Sequence, residues 1–205
     1  MNSSNNLSKI ADYYSEKIKA HGPIPLGVDW NGEHSQKIRF TELSRIINRE
    51  NFSISDIGCG YGALSKFLEE KFPSFSYFGY DISPEMIGAA KKLHGKEGRQ
   101  FYPLMVPIEK TDYVIASGIF NVKLDMDTLS WEAHIERTIE LFNTYSSNGF
   151  AFNCLTSYSD PHKMQSHLHY CQPEHLFTLC KSKFSKNVSL LHDYSLYEFT
   201  ILVRK

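Results

Sequence analysis

Three observations predict an α/β fold, a mostly parallel sheet with helices on both faces. From Phe52 onward, short apolar runs of strand length alternate with longer segments of helical periodicity. Gly58, Gly60 and Gly62 join the first of those strands directly to a helix. The last two strands are separated by a tight turn at Asp193-Tyr194-Ser195, so one of them runs antiparallel to an otherwise parallel sheet.

In chain order, Asn2 to Asn6 reads as a frayed tail. Leu7 to Ala20 reads as an amphipathic helix with Leu7, Ile10, Tyr14 and Ile18 on one stripe. The prolines and glycines of HGPIPLGVDWNGE, His21 to Glu33, make a loop, and Trp30 within it is expected as a lid or pocket wall. Ser35 to Arg49 is expected as a second helix capped by Ser35, with Ile38, Leu43, Ile46 and Ile47 inward. Phe52 to Ile57 is a strand and Ala63 to Phe72 a helix; Phe75 to Tyr80 is the next strand, and Ser83-Pro84 opens a helix that runs to about His94.

Gln100 to Val106 and Asp112 to Ser117 are strands separated by too short a gap for a crossover helix, so a short or irregular edge strand is expected there. Asp127 to Tyr145 is helical, with Leu129, Ile135, Ile139 and Phe142 in register. Gly149 to Leu155 is a strand and Pro173 to Phe184 a helix; Asn187 to Tyr194 and Tyr197 to Arg204 form the terminal hairpin. Between them, residues 156–170 form a long, histidine-rich loop at the carboxyl edge of the sheet, where ligands bind in such folds.

The glycine turn narrows the chemistry. Backbone without Cβ can approach a ligand closely and aim helix amides at it. Gly58, Gly60 and Ala63 satisfy a loose dinucleotide pattern, but Asp56 at the strand mouth would repel a pyrophosphate and suits a ligand bearing an ammonium group. The stretch DIGCGYG resembles the first motif of class I S-adenosylmethionine-dependent methyltransferases, and YFGYDISPEMI is similar to the second, with Asp81 placed to take both ribose hydroxyls.

That resemblance implies a three-layer Rossmann-like core over residues 51–205 behind a helical prefix over 1–50, together one domain, with S-adenosylmethionine as cofactor. It implies donor contacts from Asp56, Gly58, Cys59, Gly60, Gly62, Asp81, Ile82, Met86 and Ser117. Trp30 joins them from the prefix loop. Arg39 either reaches the donor's carboxylate, as a prefix arginine does in some relatives, or is a solvated helix arginine. Cys59 is read as packing rather than as a nucleophile. The adenine contact usually supplied by an acid after the third strand has only Met105, Val106 and Glu109 as local candidates.

On the acceptor side the candidates are Tyr14, Trp30, Asn121, His169 and Tyr170, with Tyr13 a further aromatic wall. His169 is the expected general base, because an alcohol acceptor must lose its proton and histidine titrates near neutrality. His162, His167 and His169 do not supply a convincing zinc set, so no metal is expected. Patterns that grip exocyclic amines in adenine and amide-nitrogen methyltransferases do not occur, which favours oxygen as the methylated atom. The prefix loop followed by SGIFN also looks like small methyltransferases of bacterial secondary-metabolite or surface-carbohydrate pathways.

At 205 residues and a formal net charge of −1, the chain is sized for one α/β domain and lacks the basic excess that general nucleic-acid binding requires. The polar start MNSSNN, the absence of a long apolar run and four scattered cysteines lead us to expect a soluble, cytoplasmic protein with reduced thiols and no membrane partner. The expected partner is a small-molecule acceptor. The rival readings are a methyltransferase of RNA or protein, a nicotinamide oxidoreductase, and a donor-binding partner subunit without activity.

Overall fold

The computed structural model describes residues 3–205, with side chains from residue 6 onward. Its sheet has seven strands: β1 (Phe52–Ile57), β2 (Phe75–Tyr80), β3 (Arg99–Tyr102), β4 (Thr111–Ala116), β5 (Ser146–Leu155), β6 (Asn187–Leu191) and β7 (Glu198–Arg204). Their spatial order is β3-β2-β1-β4-β5-β7-β6. Only β7 opposes its neighbours: it pairs antiparallel with both β5 and β6, while the pairs from β3 through to β5 are parallel. This is the Rossmann-like arrangement with a terminal hairpin expected above.

Two helices precede the sheet, α1 (Ser3–His21) and α2 (Glu33–Ser44); α3 (Ala63–Glu69), α4 (Pro84–His94), α5 (Thr128–Tyr145) and α6 (Pro173–Lys183) follow. Of the tail expected over Asn2–Asn6, Asn2 lies outside the described residues and the rest is already helical. Ser35 is not the cap of α2. Gly32 holds that position, and the Ser35 hydroxyl donates back to the Gly32 carbonyl at 3.0 Å. At α4 the local chemistry is as expected: Ser83 Oγ accepts from Met86 N at 3.2 Å, Pro84 takes a first-turn position whose amide has no partner anyway, and Lys91, Lys92 and His94 face the negative helix end.

One side of the sheet packs Leu43, Phe67, Leu68 and Ile87 of α2, α3 and α4. The other packs Trp131, Ile135, Ile139 and Phe142 of α5 with Leu176 and Cys180 of α6. Leu129 does not belong to that stripe. It is 79% exposed, because the buried phase of α5 runs through Trp131, His134, Ile135, Thr138, Ile139 and Phe142. All four cysteines are free and buried. Among the described residues no helix is long and apolar enough to cross a membrane.

The expected missing crossover helix is confirmed. Residues 103–110 pass from β3 to β4 as irregular chain. Three strand spacings of ~4.8 Å and a strand length of ~20 Å demand a diagonal of about 24 Å, within reach of that segment at roughly 3.3 Å per residue but far beyond a helix at about 1.5 Å per residue. The edge strand β3 is accordingly cut to Arg99–Tyr102, and Leu104 and Met105 lie along the ligand cleft described next.

Candidate functional site

At the carboxyl ends of β1, β2 and β4 a cleft opens beneath α1, about 980 Å³ including its solvent-filled mouth. Its floor is the turn after β1. Gly58 has φ +72 and Gly60 φ +53, and a Cβ at Gly58 would sit 2.2 Å from Ile119 Cγ2, so a side chain there meets both strain and collision. The turn is held from below. Gly58 and Cys59 donate to the Tyr80 carbonyl at 2.7 and 3.0 Å, and Gly60 N donates to Asp81 Oδ2 at 2.9 Å. Asp81 Oδ1 takes Ser83 N at 2.8 Å, so one carboxylate ties the glycine turn to the start of α4.

The electrostatics of the cleft select its occupant. Asp56 is 2% exposed, and burial, opposed by the Tyr77 hydroxyl and reinforced by the Asp81 charge, carries its pKa from 3.8 to about 7. Burial likewise lifts Asp81 to about 6, against the backbone N–H groups of Ser83, Gly60 and Ile82. Two neighbouring carboxyls held this high are stabilised as carboxylates by a cation and would be driven further up by a diphosphate. Ser117 Oγ is buried on the same wall with no hydrogen-bond partner among the described residues. A glycine cradle, two acids awaiting positive charge and an orphaned hydroxyl fit a nucleoside sulfonium with an amino-acid tail.

Comparison with known proteins agrees. A family model described as "Methyltransferase domain" matches residues 55–137. The methyltransferase-named protein Rv1506c of Mycobacterium tuberculosis (strain ATCC 25618 / H37Rv) is 51% identical over 163 residues, 78% of this chain and 98% of the relative. The chain belongs to the methyltransferase family.

Among solved structures, the magnesium protoporphyrin IX methyltransferase of Synechocystis PCC 6803 with bound S-adenosylmethionine covers the whole of both chains at TM-score 0.67 and 16% identity. A DhpI–SAM–HEP complex does so at TM-score 0.68 and 14% identity. S-adenosylmethionine is the cofactor of this methyltransferase family, and the cleft is the place in this chain whose residues suit it.

A second cavity of the methyltransferase, about 1220 Å³ including its solvent-filled mouth, adjoins the first across Tyr14, Val28, Trp30 and Gly118, which line both. Trp30 lies 3.5 Å from the position of a Cβ on Gly118 and carries the Arg39 guanidinium 4.8 Å above its ring. The charged groups around this cavity are paired internally. Lys17 Nζ and the Tyr13 hydroxyl donate to Asp29 at 2.7 and 2.6 Å; burial acts to raise the Asp29 pKa, but these bonds outweigh it and hold the carboxyl below its ordinary value. Arg39 Nε and Nη2 donate to Glu198 at 2.8 and 2.6 Å.

The structure sorts the sequence candidates. Asp56, Gly58, Cys59, Gly60, Asp81, Ile82, Met86 and Ser117 line the donor cleft, with Tyr14 and Trp30 on the shared wall. Burial pushes the Cys59 thiol well above its ordinary pKa, which keeps it in the unreactive thiol form and accords with a packing role. Gly62 lies off the cleft, as the cap of α3 facing His94 and Phe101. Arg39 is not a solvated helix arginine, nor does it line the donor cleft, and its Nη1 has no hydrogen-bond partner among the described residues. It is engaged by Glu198 at the second cavity, and Gln36, one helical turn earlier, lines the donor cleft and pairs with the Tyr61 hydroxyl at 3.0 Å. Of the adenine candidates only Met105 lines the cleft; Val106 and Glu109 do not.

Asn121 lines the second cavity: its Oδ1 takes Leu155 N at 3.0 Å, and its carbonyl takes His169 N at 2.8 Å. His169 and Tyr170 line neither cavity. His169 is buried beside the Cys171 thiol, and the Tyr170 hydroxyl accepts from Gln165 N at 3.0 Å. Gln165, His167 and Leu168 form the wall instead, because Lys123 N and Leu124 N both donate to the His167 carbonyl at 3.0 Å and Val122 bridges to Leu168. Sequence reasoning missed Gln36, Asp29, His134 and Glu198. The signal for Glu198 was an acid at the head of the apolar run FTILV, a position that turns out to be 2% exposed.

Proposed function

We propose that this methyltransferase carries a methyl group from S-adenosylmethionine to a hydroxyl oxygen of a small, neutral, polar acceptor held in the second cavity. The reading rests on one observation: a cavity opens beside the donor cleft across Gly118 and Trp30, lined by polar side chains whose charges are neutralised by one another, Lys17 by Asp29 and Arg39 by Glu198, with Arg39 Nη1 left as a donor without a partner among the described residues. Such a wall offers hydrogen bonds, the Arg39 Nη1 donor among them, but no net positive charge to offset a carboxylate or phosphate acceptor. The solved neighbours, named for a porphyrin and for the DhpI–SAM–HEP complex, also handle small molecules.

The sulfonium supplies the leaving group and the reactivity for an in-line displacement. The chain's work is alignment. Trp30 and Tyr14 wall the two ligands and exclude water, while Asn121 presents its amide beside Gly118, where a Gly118 Cβ would lie 3.6 Å from Nδ2. Tyr14 is kept protonated by burial and by the nearby Tyr13, Asp29 and Asp81, so it acts as a hydrogen-bond donor. His167 replaces His169 as the group that takes the acceptor's proton, since it is the histidine on the cavity wall. Positioning of this kind is worth up to about 7–11 kcal/mol of barrier.

Methyl-labelled S-adenosylmethionine, offered with neutral polyhydroxylated and phenolic compounds, with polycarboxylic acids and with RNA and protein, tests the reading. Label in a base-stable methyl ether of a small compound supports it. Label in a base-labile ester, or in a macromolecule, overturns it. The open second cavity disfavours the inactive-partner reading, which requires that space to be filled by side chains.

A further inference from the structure

Trp131 and His134, in the first turns of α5, line the donor cleft together with Leu104, Met105 and Ile82. Trp131 is anchored, its Nε1 donating to the Phe120 carbonyl at 2.9 Å, and the imidazole of His134 lies against it with ring centroids 5.0 Å apart. His134 is 9% exposed and lines the cleft, where its ring is within reach of whatever occupies that space. An imidazole held on a cleft wall by its stack on an anchored tryptophan is already oriented to hydrogen-bond a ligand there. Burial and the Arg137 charge push its pKa down, so the ring is neutral and offers one donor and one acceptor.

Asp81 marks the ribose end of the donor, and the wall beyond it toward β3 is apolar, Leu104 and Met105. These side chains can sandwich a purine ring but cannot read its edge. We propose that His134 is the specificity-determining residue for the donor's base, hydrogen-bonding the 6-amino/N1 edge of adenine in place of an acid after β3. The assignment rests on the donor-cleft reading above.

Calorimetry with S-adenosylhomocysteine and with S-inosylhomocysteine, whose 6-oxo/N1–H edge reverses donor and acceptor, tests it. The wild type should prefer the adenosyl compound by about tenfold or more, as one hydrogen bond and one mismatch imply. His134→Phe should weaken the adenosyl compound about tenfold and bring the two affinities together, while His134→Gln, which keeps a donor and an acceptor, should restore much of the preference. Thermal melts of both variants show whether they remain folded. A folded Phe variant with its preference intact overturns the proposal but leaves the donor cleft standing. A wild type that binds neither compound overturns both.

Discussion

Glu198 sits where four groups meet. Arg39 binds it through two nitrogens at 2.8 and 2.6 Å, Asn153 Nδ2 donates to it, and Asn153 Oδ1 in turn takes Gly118 N at 2.8 Å. The Arg39 side chain is 11% exposed and that of Glu198 3%, so neither charge has water to fall back on. Glu198→Ala leaves a buried guanidinium unpaired and an amide donor orphaned, a change that costs about 3–5 kcal/mol. For a chain of this length that is a fall in Tm of roughly 6–20 °C, at about 2–4 °C per kcal/mol. Arg39→Met combined with Glu198→Gln removes both charges and keeps an acceptor for Asn153, so it should recover most of the loss. Urea unfolding of the wild type, Arg39→Met, Glu198→Gln and the double variant, with the slope unchanged, measures the coupling, and Glu198→Ala measures the cost of an unpaired guanidinium. A Glu198→Ala loss below about 1 kcal/mol, or a double variant equal to the sum of the singles, would show that the pair is not buried as described.

Three further outcomes follow from the site. Gly58→Ala should weaken S-adenosylhomocysteine binding at least tenfold by calorimetry, since the +72 φ alone costs ~1–2 kcal/mol in a residue with Cβ and the 2.2 Å approach forces Ile119 into the cleft; Ile119→Ala in the same chain should relieve the collision but not the strain. Asp56 has a folded pKa of about 7 against 3.8, so the ligand-free fold holds its proton more tightly than the unfolded chain, and its contribution is fully present below pH 4 and lost as pH rises through 7. Asp56→Asn should therefore stabilise the free protein at pH 8 by on the order of 4 kcal/mol, by denaturant titration, with the gain gone at pH 4, while weakening the donor. A wild-type stability that rises between pH 4 and 7 on account of Asp56 would contradict this sign. Once an acceptor is in hand, His167→Ala should lower kcat by roughly 10²–10⁴-fold, whereas an equal loss from His169→Ala in a protein of unchanged Tm would return the base to that position.

What the sequence determined by itself is the donor half. The glycine turn, Asp56, Asp81 and the Ser83-Pro84 start lie in contiguous stretches, and their effects act over a few residues: a positive φ, a capped helix end, a carboxylate at a strand mouth. Even the missing crossover helix was legible, because the reach of a chain depends only on its length. The acceptor half needed the tertiary structure. Its wall gathers Lys17, Asp29, Arg39, Asn121, His167 and Glu198 from distant segments, brought together by β7 inserting beside β5 and by the backbone bonds that seat the loop before α6 on residues 121–124. Arg39 and His169 are the instructive cases. Each has the right chemistry for the role first given to it, but a partner far along the chain decides where it sits: Glu198 grips the Arg39 guanidinium, and the Asn121 carbonyl takes His169 N at 2.8 Å. Pairing at such separations is set by strand order and burial, and neither leaves a local trace in the sequence.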